Sequence, residues 1–285
     1  MEIWNSITEE EIEYASNQLN VSKAITITSS HAKRETTKKF GSDTILNTIN
    51  YDQQGEWNDV LEAVYGNDYP LGCHPTGVAM LCTYFGWPEK FIEYTENGRK
   101  ATLANVKKAF PEHADWDGTY DWNAIRKGEK NYQVAALIFD IAEIDGTRYA
   151  GGGSPTTVKY KGETYLDLVG YKYDLFWGNA CNNIDAAKNV INSLENNRPA
   201  LATGAHTFIL DGAKIIEIAD CYYVFSVDRD MSAKPFKTSL TSTNIYYHCN
   251  LGWGGYLNGW YAPDHVTDHP DDIKVDYVYS NARIE

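Results

Sequence analysis

His248-Cys249-Asn250-Leu251-Gly252-Trp253-Gly254-Gly255 is the stretch on which the reading of this chain turns. An apolar, β-rich run, Ile245-Tyr246-Tyr247, feeds into an asparagine, a tryptophan and three glycines. That pattern describes a strand that ends in a tight turn, because glycine permits close backbone paths. An asparagine so placed can hold a histidine ring, as the third member of a catalytic triad does. Trp253 would shield that contact from water. Asn-x-Gly-Trp alone is equally an ordinary turn. Its meaning depends on a nucleophile and a base elsewhere.

Candidates for both exist. Tyr69-Pro70-Leu71-Gly72-Cys73-His74-Pro75-Thr76 sets a cysteine between a glycine turn and an apolar helix. The helix runs through Val78, Ala79, Leu81 and Cys82 to Phe85 and stops at Gly86 and Pro88. A helix N-terminus carries partial positive charge, which favours the nucleophilic thiolate over the thiol. Gly72 would let a substrate backbone pass close by. A structural cysteine opening a buried helix fits this motif as well. Gly204-Ala205-His206-Thr207-Phe208-Ile209-Leu210-Asp211-Gly212 offers the base. Its histidine opens an apolar strand that the pattern ends in an Asp-Gly turn. A neutral imidazole suits removal of a thiol proton. The oxyanion of acyl transfer needs donors. The Cys73 N–H is one, and Tyr51-Asp52-Gln53-Gln54 supplies two side-chain amides as candidates for the other.

Before the cysteine, Thr8-Glu9-Glu10-Glu11 is a capping box ahead of a helix, and Val21 to Thr28 is strand-like. Residues 30–44 are polar and basic without periodicity and read as a loop or linker. Residues 1–45 are therefore an appendage, and 46–285 the main domain. After the cysteine, a second helix spans Tyr132 to Ile144, Gly151-Gly152-Gly153 is a flexible loop, and a third helix starts at Asp185 as N-cap. Strands over 200–210, 213–219, 221–227 and 244–249 follow, with turns at Asp211-Gly212, Asp220 and Asp228. Helices first and antiparallel strands last indicate an α+β fold.

The net charge of −14 argues against nucleic-acid binding, which needs Lys and Arg to neutralise phosphates. No apolar run approaches a membrane span, and Met1-Glu2-Ile3-Trp4 shows no signal peptide. The five cysteines contain no CxxC pair, so no structural zinc is expected, and nothing calls for a metal or cofactor. Cys82, Cys221 and Cys249 sit in apolar contexts and read as buried small hydrophobes.

Gln, Cys, His and Asn occur in the order of papain-like peptidases. The 133 residues from Cys73 to His206 fall within the roughly 130–150 of that architecture. From about Tyr51 onward the chain resembles the streptopain family of secreted bacterial cysteine peptidases. That family carries Gly-Cys-Val-Ala-Thr-Ala at the nucleophile, and Gly72, Cys73 and Thr76 match it here. At the base it carries Gly-His-Ala-(Phe/Trp)-Val-Ile-Asp-Gly, matched by His206, Phe208, Asp211 and Gly212. Near the end it carries His-Val-Asn-Trp-Gly-Trp-Gly-Gly, matched by His248, Asn250, Gly252, Trp253, Gly254 and Gly255.

The resemblance implies a papain-like fold, with a helical part, an antiparallel β part and the active site in the cleft between them. It implies a cysteine endopeptidase with catalytic Cys73, His206, Asn250 and Gln53, the last preferred over Gln54 by ungapped alignment. Gly72, Ala205 and Trp253 then line the substrate, which is a protein or peptide. It also implies a secreted or cell-surface zymogen with an N-terminal pro-segment as a candidate inhibitor, residues 1–45 being a propeptide remnant, a distinct pro-segment or an N-terminal extension, with Lys33-Arg34 as a candidate processing point. Departures from the pattern leave two alternatives. One is a catalytically degenerate binding protein, and the other a thiol acyltransferase or amidase. His74-Pro75 replaces Val-Ala, with His74 expected to point to the surface. Leu251 replaces the first Trp, and Ala205 replaces a Gly.

Overall fold

A computed structural model describes residues 3–5, 27–157, 163–176, 183–226, 237–266 and 275–284. The expected helix after Thr8, most of the strand from Val21, the turn at Asp228 and Cys181 lie outside these residues. The chain divides into two compact units, one of residues 1–40 with 215–245, the other of 41–214 with 246–285.

The larger unit holds the helices. Short α1 (Asp59–Tyr65) precedes α2 (Cys73–Phe85), and α3 (Leu103–Ala109) and α4 (Trp122–Ile125) precede α5 (Asn131–Asp145). Almost every residue of α2 and α5 is buried. A helix apolar on all sides belongs in the middle of a core, and these two pack against each other. Each ends on a left-handed glycine, Gly86 or Gly146, whose N–H bonds back to Cys82 O or Ala142 O. The short helix α6 (Tyr165–Leu168) opens with a capping box between Thr164 and Asp167. Helix α7 (Ile184–Glu195) is capped by Asn183, which accepts from the N–H groups of Asp185 and Ala186. Asp185, the expected cap, lies inside the first turn.

The β layer of this unit has the order β5-β4-β8-β3, all antiparallel, from strands β3 (Tyr171–Phe176), β4 (Ala200–Thr203), β5 (Thr207–Ser226) and β8 (Tyr277–Ile284). The end of β6 (Lys237–Asn250) pairs with β7 (Gly259–Tyr261), so that His248 faces Trp260 in register. Mixed helix and antiparallel sheet bears out the α+β expectation. The internal turns do not appear. β5 runs unbroken through Asp211-Gly212 and Asp220. Asp211 is buried, its carboxylate accepting from Thr48 Oγ1 (2.6 Å) and pairing with His248 Nδ1 (2.5 Å). Those tertiary partners replace the local contacts that favour an Asp-Gly turn. The chain reverses instead at Gly204-Ala205-His206, between β4 and β5.

The smaller unit contains β1 (Ile3–Asn5), antiparallel to β2 (Ile27–Gly41). Residues 30–41, read as a loop, are strand. Arg34 forks onto Asp220 with Nε at 3.0 Å and Nη2 at 3.3 Å, and Lys38 reaches Glu217 at 3.6 Å. The exposed residues of this strand are held by charge and backbone pairing, so no apolar alternation marks it.

Candidate active site

Cys73 is the first residue of α2 and is partly exposed. Gly72 before it has φ +100°, and a Cβ there would stand 2.5 Å from the Ser154 carbonyl. Only glycine permits that conformation and that approach. Gly72 therefore seats the 151–154 loop, whereas the sequence suggested passage of a substrate backbone. One helical turn on, a Cβ at Gly77 would meet Leu201 Cδ1 at 3.0 Å and Thr207 Cγ2 at 3.2 Å. The bare face of α2 thus lies directly on the sheet beside the β4–β5 bend, which carries His206.

There the thiol and the imidazole meet. Burial alone would raise the Cys73 thiol. The hydrogen bond from His206, its charge and the Thr207 backbone N–H outweigh burial and bring the thiol down to about 7. Burial opposes charge on His206, but its bonds to the sulfur and to the Leu251 carbonyl raise it above the ordinary imidazole value. The free cysteines Cys82 and Cys249 are fully buried, and burial pushes their thiols up. The contrast sets the Cys73 thiol apart from the two fully buried ones. Cys221 is also free and 2% exposed, as its apolar context suggested.

The contact on the second ring nitrogen of His206 differs from the expected one. His206 Nε2 lies 2.8 Å from the main-chain oxygen of Leu251. A carbonyl can only accept, so Nε2 carries the proton, and in the neutral ring Nδ1 is left as a lone pair toward the thiol. Asn250, which the triad analogy put on this nitrogen, is 1% exposed and turned elsewhere. Its Nδ2 donates to Thr48 Oγ1 (3.1 Å) and Ile49 O (3.0 Å), and its Oδ1 accepts from Gly252 N (3.4 Å). Asn250 fixes the loop, and the next residue's carbonyl meets the histidine. Leu251 N is tied to Asn258 Oδ1 at 2.9 Å, and Gly254 N to Tyr51 O at 2.9 Å. The Leu251 side chain is fully buried.

Trp253 lies over His206, ring centroids 4.7 Å apart and tilted by 41°. Its ring covers one side of the imidazole. Gln53 O accepts from Leu71 N at 2.9 Å, which sets Gln53 beside the turn that precedes Cys73, and Gln53 is half-buried while Gln54 is exposed. Ala205 is exposed in the bend before His206. His74 is not a surface residue. It is 7% exposed, with Nε2 2.9 Å from Asp145 Oδ2. Sequence reasoning missed Asp145, Ser154, Gly77 and the Leu251 carbonyl. Gly77 alone left a trace, as a glycine inside an otherwise apolar helix.

A helix-borne thiol of lowered pKa, a β-borne imidazole locked in one tautomer and an aromatic cover define a cysteine peptidase with a papain-like fold. Residues 51–261 match the Peptidase C10 family, and the chain belongs to that family, which is the streptopain family that the motifs suggested. Two solved structures from Prevotella intermedia are similar. A cysteine-to-alanine mutant of a prointerpain A fragment is 16% identical at TM-score 0.50, covering 96% of this chain and 80% of that one. Active wild-type interpain A cysteine protease is 17% identical at TM-score 0.50, covering 83% of this chain and 94% of that one. The search of curated proteins gave no match. Among the described residues, no helix is long and apolar enough to cross a membrane, and no cluster of metal-ligating side chains occurs.

Proposed function

We propose that this cysteine peptidase is an endopeptidase that works through Cys73 and His206. His206 Nδ1 takes the thiol proton, and the thiolate attacks the carbonyl carbon of a peptide bond. The tetrahedral oxyanion is held by the Cys73 N–H and the Gln53 side-chain amide. The imidazolium returns its proton to the leaving amine, and water hydrolyses the thioester. Gln53 is preferred to Gln54 for its tie to Leu71. Asn250 serves as a positioning residue, acting through the loop that aims the Leu251 carbonyl. Trp253, Gly72 and Ala205 frame the substrate side, Gly72 through the loop that it seats.

The observation that carries this reading is the single-tautomer His206 between the Leu251 carbonyl and the Cys73 sulfur. A degenerate binding protein has no need of a thiol lowered to about 7. We take residues 46–285 as the peptidase domain and 1–45 as an N-terminal extension that restrains it in a secreted zymogen. Lys33-Arg34 lies within β2, with Arg34 bound to Asp220. A protease needs free extended backbone, so cleavage there requires β2 to be released first. Cys73→Ala tests the reading. It should abolish casein hydrolysis and labelling by the epoxide E-64, and hydrolysis at the parent rate would overturn the assignment.

A further inference from the structure

The reaction proposed for Cys73 and His206 gives no part to Asp211, a buried carboxylate on the strand that opens beside the base. Both of its oxygens are engaged. Oδ2 accepts from Thr48 Oγ1 at 2.6 Å, and Oδ1 lies 2.5 Å from His248 Nδ1. Its main-chain oxygen accepts from Leu46 N at 2.8 Å. The glycine after it makes room for the histidine. A Cβ at Gly212 would stand 2.9 Å from His248 Cβ and 3.0 Å from Trp260 Cη2. Asp211-Gly212 thus ties two other segments to the strand of His206. One is the 46–48 segment, and the other is the end of β6, which runs straight on into Asn250 and Leu251.

The bonds beyond Asp211 have a fixed direction. A threonine hydroxyl has one proton, and Thr48 gives it to Asp211. Its lone pairs are left to face Asn250 Nδ2 at 3.1 Å, beside the Ile49 carbonyl at 3.0 Å. Both neighbours can only accept, so the Asn250 amide must turn its NH2 toward them. Its Oδ1 is then aimed at Gly252 N, 3.4 Å away. That N–H belongs to the same planar peptide unit as the Leu251 carbonyl. Holding the N–H on one side sets the oxygen on the other, which His206 Nε2 meets at 2.8 Å.

We propose that Asp211 and Thr48 are positioning residues for the base: by taking the Thr48 proton, the Asp211 carboxylate fixes the Asn250 amide, and through it the Leu251–Gly252 peptide that holds His206 in one tautomer. The inference rests on His206 being the base for Cys73. No bond of the substrate is made or broken at either residue. His248 is a second hold on the same loop, since its bond to Asp211 fixes the strand two residues before Asn250. The strand that begins beside the base therefore also carries the anchor of the loop that orients it.

Two substitutions at one position test this in the full chain. Thr48→Val keeps the shape and removes the hydroxyl, whereas Thr48→Ser keeps the hydroxyl. On a fluorogenic peptide Thr48→Val should lower kcat about ten-fold with KM within about two-fold, and Thr48→Ser should stay within about two-fold of the parent in both. Nitrogen-15 NMR of the histidine rings supplies a readout that stability alone does not move. The His206 Nε2–H signal should be retained in the parent and in Thr48→Ser, and shifted or averaged between tautomers in Thr48→Val. A lowered thermal midpoint with kcat and the His206 signal unmoved would make Thr48 structural only and overturn the proposal. An equal loss in Val and Ser would place the effect outside the hydroxyl and also overturn it. Should Thr48→Val not fold, the unmodified chain still decides. The Asn250 side-chain amide protons should be protected from hydrogen exchange, and exchange as fast as in an exposed asparagine overturns the relay. Hydrolysis that survives Cys73→Ala would overturn the nucleophile reading itself. Loss of hydrolysis in Cys73→Ala beside an unaffected Thr48→Val would overturn only this inference.

Discussion

Gly77→Ala isolates what brings the two reacting side chains together. Gly77 stands one turn after Cys73 on the face of α2 that meets Leu201 and Thr207, and Thr207 adjoins His206. The added methyl would lie 3.0 Å from Leu201 Cδ1 and 3.2 Å from Thr207 Cγ2. Carbon atoms prefer about 3.5–4.0 Å, so the Leu201 and Thr207 side-chain ends must give by a few tenths of an ångström, or helix and sheet move apart by that much. Alanine is worth about 1 kcal/mol more than glycine inside a helix, whereas overpacking costs about 1–3 kcal/mol. The net loss of stability is therefore about 0–2 kcal/mol, a fall in Tm of a few degrees for a chain of this size. Catalysis is less forgiving, since a misplacement of about 1 Å can cost about a hundred-fold. The expected result is a folded variant with kcat/KM reduced about ten-fold or more on a fluorogenic peptide, and slower E-64 labelling of Cys73. Folded Gly77→Ala with unchanged kcat/KM and labelling would refute the claim that this close approach sets the catalytic geometry.

Three further outcomes follow from the same contacts. Asn250→Ala removes the bonds to Thr48, Ile49 and Gly252, at about 1 kcal/mol each. It should lower kcat more than KM through the loosened Leu251 carbonyl, and unchanged kcat would show that the loop holds without it. Burial raises the Asp140 carboxyl well above its ordinary value, against the lowering effect of the Ile92 N–H. Such a group costs stability once pH exceeds its unfolded value near 3.8 and ceases to as pH falls below it. Asp140→Asn should therefore raise Tm at neutral pH and lose that advantage near pH 4, as scanning calorimetry would show, and an equal effect at both pH values would contradict this. The pH profile of kcat/KM should be a bell, its acid limb near 7 from the thiol and its alkaline limb above the ordinary imidazole value. A profile rising steadily past pH 9 would exclude the pair as its source.

The parts of the fold that were legible in the sequence are those whose cause is local. α2 and α5 announce themselves by apolar runs ended by glycine, and the proximity of Cys73 to His206 is suggested by motif order. What was illegible depends on distant partners. Asp211-Gly212 has the composition of a turn, yet Thr48 and His248 hold the Asp211 carboxylate and the strand runs on. β2 lacks apolar alternation because most of its described residues are exposed, so its polar sequence imitates a loop. His74 looked like a surface residue because Asp145, 71 positions away, gives no sign of the pairing. The orienting group is a backbone oxygen, which no side-chain pattern can encode. Within the loop of that motif the contact on His206 Nε2 is the Leu251 carbonyl, and the Asn250 side chain is bound to Thr48 and Ile49.

The central claim is that His206, fixed by the Leu251 carbonyl, makes Cys73 a thiolate near neutrality. It is tested most directly by the pH dependence of Cys73 alkylation in the parent chain and in His206→Ala. The predicted result is a half-maximal rate near pH 7 in the parent, and an upward shift in the variant, where both His206 contributions are lost and the Thr207 N–H is left to oppose burial. A parent midpoint at 9.0 or higher, or one that survives loss of His206, would contradict the account.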